Sequence, residues 1–157
     1  MALELKSPAF TAGGFIPKQH SCQGSDVSPP LSWSQAPQGT KSFALVMDDP
    51  DAPAGAWVHW VLYDLPADRT ALPEGLPKKE SLPDGSKHGQ CWGVEDFGRF
   101  GYYGPCPPPG SAHRYSFRLY ALDRVLGLPV RATKAELLQA MNGHILGQAE
   151  LVGLYKR

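Results

Sequence analysis

The chain has 157 residues, one domain by length, and can bury roughly two thirds of its unfolded surface without a disulfide or metal staple. Fifteen basic residues balance fifteen acidic ones, so no whole-molecule field draws it to nucleic acid or an acidic membrane, and anion recognition has to be local. No stretch approaches the length of a membrane span and Met1 to Lys6 lacks a basic start followed by an apolar run, so a cytoplasmic protein is expected.

Sixteen prolines and seventeen glycines, spread rather than clustered, are the punctuation of many short strands within a single domain, residues 1–157. In chain order, the first strong element is Ser42 to Met47, apolar on both alternating sets and therefore a central strand. Trp57 to Leu65 follows, with Trp57, His59, Val61, Tyr63 and Leu65 on one face and Val58, Trp60 and Leu62 on the other. Residues 66–112 hold four early prolines and then a glycine-rich run from Gly89 to Gly110; a loop that long inside a small domain usually carries function. Arg114 to Leu122 alternates clearly, Tyr115, Phe117, Leu119 and Ala121 forming one face, with His113 on the same side at the strand mouth. Thr133-Lys-Ala-Glu136 is a capping box, and Ala135, Leu137, Leu138 and Met141 predict a helix from about Lys134, weakened at Asn142-Gly143. Ala149 to Tyr155 returns to strand alternation.

Polar residues gather where these runs begin and end. Asp49-Pro-Asp-Ala-Pro53 and Trp57-Val-His59 lie at one pair of strand ends, and Gly104-Pro-Cys-Pro-Pro-Pro-Gly110 with His113-Arg-Tyr115 at another. An Asp before Pro is commonly a turn residue, and a solitary histidine is commonly a satisfied core residue. Several such groups converging on one sheet edge make a pocket the better reading. A carboxylate beside an imidazole favours imidazolium, a charged donor to an anion, and Tyr115 adds a neutral hydroxyl donor. Asp51 is assigned to Arg114 rather than to a ligand. Gly104 permits close backbone approach, Pro107 and Pro108 form a stiff wall without donors, and Trp57 supplies an aromatic floor. Cys22, Cys91 and Cys106 lack metal-site spacing, and three is an odd number; reduced thiols are expected, a bridge to Cys106 being the alternative.

These motifs resemble the phosphatidylethanolamine-binding protein family, also called the Raf kinase inhibitor family. The resemblance runs from Ser7-Pro-Ala-Phe10 through Ser28-Pro-Pro-Leu-Ser-Trp33 to Ala149-Glu-Leu-Val-Gly153, and the short Ala54-Gly-Ala56 link is similar to the compact bacterial and archaeal branch. It implies an antiparallel Greek-key β-sandwich with a peripheral C-terminal helix, a cis bond at Ala52-Pro53, and ligand contacts from Asp49, Ala52, Pro53, Trp57, His59, Gly104, Pro107, Pro108, His113 and Tyr115. It also implies a non-catalytic module for a phosphorylated or anionic group such as a phospholipid head group, with no cofactor and no metal. Glu95 and Trp92 depart from the pattern of that branch in the loop over the site.

Two other functions compete. One is inhibition of a kinase or serine protease through the pocket rim, at Trp57 or Tyr103, with homodimers occurring among compact relatives. The other is hydrolysis, with Asp49, His59 and His113 as acid and base or as metal ligands. Against hydrolysis, the chain has no H-E-x-x-H, no Gly-x-Ser-x-Gly elbow and no Walker-type phosphate loop.

Overall fold

The apolar run beginning at Ser42 becomes the middle of the molecule. The computed structural model describes residues 2–53, 55–93 and 98–157. Its strands are β1 (Glu4–Lys6), β2 (Leu31–Ser34), β3 (Ser42–Asp49), β4 (Trp57–Pro66), β5 (Ala71–Leu72), β6 (Lys87–His88), β7 (Gln90–Cys91), β8 (Arg99–Phe100), β9 (His113–Leu122) and β10 (Ile145–Tyr155), with helix α1 (Lys134–Met141) before the last. The principal sheet has the order β10-β9-β3-β4-β6, a second sheet the order β1-β2-β5, and β7 pairs with β8; neighbouring strands are antiparallel throughout. The fold is mainly β, as expected.

All eight residues of β3 are buried because both faces of the principal sheet are covered. Phe43, Leu45 and Met47 join Leu5, Leu31, Trp33 and Leu72 from the second sheet, while Ala44 and Val46 join Leu137 and Met141 from α1. Fully burying side chains of this size contributes about 1.5 to 3 kcal/mol each.

Strict alternation fails in β4. The register with β3 slips between Phe43 and Leu45 and again between Met47 and Asp48. Trp60, Leu62 and Leu65 therefore share one core, and Val58, Val61 and Tyr63 the other, which corrects the expected placement of Val58 and Leu65. A bulge adds one residue to one strand and inverts every side chain beyond it. Asp64, at φ 57, marks the first slip, and the second lies beside His59.

The capping box of α1 is complete: Glu136 N donates to Thr133 Oγ1 at 3.1 Å and Thr133 N to Glu136 Oε1 at 2.9 Å. Only Leu137 and Met141 are buried, with Leu138 on the exposed side, and the helix stops at Met141 before Gly143 turns at φ 84. The last strand starts earlier than its alternation suggested, at Ile145. The 66–112 stretch is tied down by four two-residue strands, two of which pair with each other. No described helix is long and apolar enough to cross a membrane.

The cysteines correct the expectation of reduced thiols. Cys22 and Cys106 are bonded, S–S 2.04 Å, across 84 residues of sequence. Composition could not foresee this, because the pairing depends on tertiary proximity of the 20–26 and 102–106 segments. Those segments are also joined by hydrogen bonds from Cys22 N to Pro105 O, Gly104 N to Asp26 Oδ1 and Tyr102 Oη to His20 O. Cys91 remains a buried thiol whose pKa burial pushes up to about 12, so it stays protonated.

Candidate functional site

Asp49 closes β3 and His113 opens β9, so two strands of one sheet deliver carboxylate and imidazole to a common end. Asp49 uses both oxygens. Oδ1 accepts from Asp51 N at 2.8 Å, the local turn that a pre-proline Asp favours, and Oδ2 accepts from His113 Nδ1 at 2.7 Å. A carboxylate can only accept here, so Nδ1 carries the proton and Nε2 of His113 is the variable position: acceptor when the ring is neutral, donor when it is charged.

His59 differs. Its Nδ1 donates to the carbonyl of Tyr103 at 2.5 Å, which also fixes the proton on Nδ1 and leaves Nε2 as the acceptor. Burial lowers its pKa more than the Tyr103 carbonyl and Asp49 raise it, so the neutral ring is favoured. Of the two histidines, one therefore pairs with the carboxylate, and the other is bonded to a backbone carbonyl and kept neutral.

Tyr115 stands between them, its ring edge-on to His59 with centroids 5.3 Å apart. Its side chain is wholly buried, and its hydroxyl, which lies toward the Asp49 carboxylate, makes no hydrogen bond of ordinary geometry among the described residues. Desolvation, then the negative field of Asp49 and the pull of its carboxylate on the hydroxyl proton, raises its pKa, so the hydroxyl keeps its proton and acts as a donor. A buried polar group left unpaired costs about 1 to 3 kcal/mol.

The other two acidic residues at this end are neutralised elsewhere. Asp48 turns to the opposite side of the sheet, where Lys134 Nζ reaches it at 2.7 Å and Arg118 at 3.6 Å. Asp51 accepts from Arg114 through Nη2 at 2.8 Å, Nε at 3.0 Å and the backbone amide at 2.8 Å. The Arg114 bonds lower the Asp51 pKa to about 2. Of three neighbouring carboxylates, only Asp49 faces the cavity.

That cavity has a volume of about 180 Å³ and is walled by Asp49, Ala52, Pro53, Trp57, His59, Pro107, Pro108, His113 and Tyr115. Nine of the ten residues singled out in the sequence thus share one concavity. Gly104 does not: a Cβ there would lie 1.9 Å from the carbonyl oxygen of His20, so this glycine serves the packing of two loops. Ala52-Pro53 is trans, correcting the expected cis bond, and Asp49 is aimed by its own turn instead. Glu95 lies outside the described residues.

Sequence reasoning missed Cys106 and Trp92 as cavity walls. Cys106 had a signal, its place between Gly104 and Pro107. Trp92 had a weaker one, its departure from the family pattern in the loop over the site, but its place in the wall follows from a left-handed backbone, φ 74, and from Trp92 N donating to Val58 O at 2.7 Å. Among the described residues no group of three or more His, Cys, Asp or Glu side chains is arranged to hold a metal ion.

Comparison with known proteins agrees with this geometry at the level of family. The family model described as phosphatidylethanolamine-binding protein matches residues 6–156. A UPF0098 protein of Methanothermobacter thermautotrophicus is 52% identical, the match covering 99% of both chains. Among solved structures, a phosphatidylethanolamine-binding protein homologue from Chlamydia trachomatis is 42% identical with a TM-score of 0.83, covering 99% of this chain and 98% of the other. E. coli YbcL, described as a member of the mammalian family, is 33% identical with a TM-score of 0.88, covering 100% and 99%.

Proposed function

This chain belongs to the phosphatidylethanolamine-binding protein family, and we propose that it is a non-catalytic module that holds an anionic group, phosphate in the simplest case, between Asp49, His113 and Tyr115. The observation that carries this reading is the Tyr115 hydroxyl, a protonated donor buried at the cavity beside Asp49 with no hydrogen bond of ordinary geometry among the described residues. An anionic oxygen would complete it.

The cavity is mixed in polarity. Tyr115 donates, as His113 Nε2 does when its ring carries a second proton, whereas Asp49 and neutral His59 accept. This suits a ligand that offers both an anionic oxygen and a hydrogen-bond donor, such as a protonated phosphate monoester or the zwitterionic phosphoethanolamine head group. The withdrawal of Asp48 and Asp51 into ion pairs removes much of the repulsion that three clustered carboxylates would impose. Binding without catalysis is the preferred reading because the described cavity walls include no serine, threonine or lysine, and their one cysteine, Cys106, is held in a disulfide. We also read the facing sheets as a Greek-key sandwich.

Calorimetric titration with inorganic phosphate tests the reading. Wild-type protein should bind, and His113→Ala should bind roughly ten- to a hundredfold more weakly, the loss expected for one hydrogen bond to a charged group. Equal affinity in the two proteins would place the anion elsewhere.

A further inference from the structure

The cavity holds about 180 Å³, below the roughly 300 Å³ at which pockets for whole drug-sized ligands begin. Only a head group fits inside, so the rest of any ligand must lie against the mouth. On one side that mouth is aromatic. Trp57 and Trp92 both wall the cavity, and their rings stand at 89° with centroids 5.6 Å apart. Two perpendicular rings make a corner in which a third flat ring can offer its face to one wall and its edge to the other. The guanidinium of Arg99 lies 5.0 Å from the Trp92 ring and 4.9 Å from that of Tyr103, extending the flat surface outward.

Trp92 is held there against its own preference. A bulky residue at φ 74 is an outlier that survives only when its surroundings over-determine it, and such positions cluster at ligand sites. Its amide is tied to Val58 O, and the His59 ring stands edge-on to it at 5.5 Å. The indole is partly buried, packed against the core on one side and against Trp57, His59 and Tyr103, and it also walls the cavity.

We infer that Trp92, with Trp57 and Arg99, forms a second subsite that makes this chain prefer anionic groups attached to an aromatic ring over those attached to an alkyl chain. The inference deepens the anion-pocket reading and rests on it. Trp92 acts as a specificity residue, touching the part of the ligand beyond the anion.

Three probes separate the two subsites: inorganic phosphate, ethyl phosphate and phenyl phosphate, titrated calorimetrically into wild type, Trp92→Gly and Arg99→Gln. Glycine suits the left-handed backbone, so Trp92→Gly removes the ring without adding strain, and its thermal transition checks the fold. Wild type should bind phenyl phosphate about tenfold more tightly than ethyl phosphate, on the scale of one ring stacking contact. Trp92→Gly should bring that ratio close to one, the inorganic phosphate titration of the same variant reading separately any loss at the anion pocket that both esters share, and Arg99→Gln should reduce the ratio partway. Equal affinity for the two esters in wild type, or a ratio that survives Trp92→Gly, overturns the inference. Phenyl phosphate binding that depends on Trp92, with no measurable binding of inorganic phosphate, would instead sink the anion pocket and keep the aromatic subsite. No binding of any probe would sink both.

Discussion

Strand β4 has a buried polar cluster at each end, and the two differ in how completely they are satisfied. At the Asp64 end, a carboxylate that a bulge turns inward accepts from Lys87 Nζ at 3.1 Å, Leu126 N at 2.9 Å and Gly127 N at 3.2 Å. Lys87 in turn donates to Leu128 O. Both carboxylate oxygens are engaged, and the lysine spends two of its three donors inside the protein. At the His59 end, Asp49 and both imidazoles are oriented by equally good hydrogen bonds, but among the described residues Tyr115 keeps a donor unspent. Both clusters are buried and ionisable, and burial alone would rank them together. The residual valence separates a structural network from a binding one.

Breaking the closed cluster should give the largest effect. Asp64→Ala strands a lysine and two amides, and loss of one partner from a buried pair costs about 3 to 5 kcal/mol. The midpoint of chemical denaturation should fall accordingly, whereas phosphate affinity of the folded protein should persist. Removing the Cys22–Cys106 bond by paired serine substitutions should cost about 2 to 4 kcal/mol, because a long loop is released in the unfolded chain. The pocket should survive this change as well, since three hydrogen bonds still join the two segments.

Acidification should act next. His59 and His88 both have pKa values lowered by burial; His88 also accepts from Trp60 Nε1 at 3.1 Å, a bond that requires its neutral ring. The unfolded chain takes up these protons from about pH 6.5 downward while the fold excludes them, so stability is full above that pH and falls below it. Each histidine can contribute up to about 1.4 kcal/mol per pH unit. Thermal melts between pH 7.5 and 5 should show the decline, and His88→Gln should flatten it. A melting temperature that rises on acidification would contradict the neutral assignment of both rings.

Much of the architecture was legible from pattern. Ser42 to Met47 has no polar side because neither face of β3 meets water, and the Thr133 capping box marks its helix start to the residue. The shared cavity was legible because its walls belong to short composite motifs at strand ends. What escaped has a common cause, dependence on three-dimensional register. The slips in β4 that send Leu65 and Val58 to the other core depend on pairing with β3, and the disulfide depends on two loops meeting. The neutral state of His59 escaped for the same reason: its partner is a backbone carbonyl 44 residues away, which no side-chain motif announces.

Tyr115→Phe is the most direct test of the claim that an unspent donor marks the binding site. Removing a hydroxyl that has no partner should leave the thermal transition unchanged or slightly raised, since only an unsatisfied polar atom is lost. The same substitution should weaken inorganic phosphate binding roughly ten- to a hundredfold, as one hydrogen bond to a charged group disappears. Paired melting and calorimetric titration of the wild type and this variant would show both. Destabilisation by more than about 1 kcal/mol with unchanged phosphate affinity would mean that the hydroxyl serves the fold, and would contradict the account.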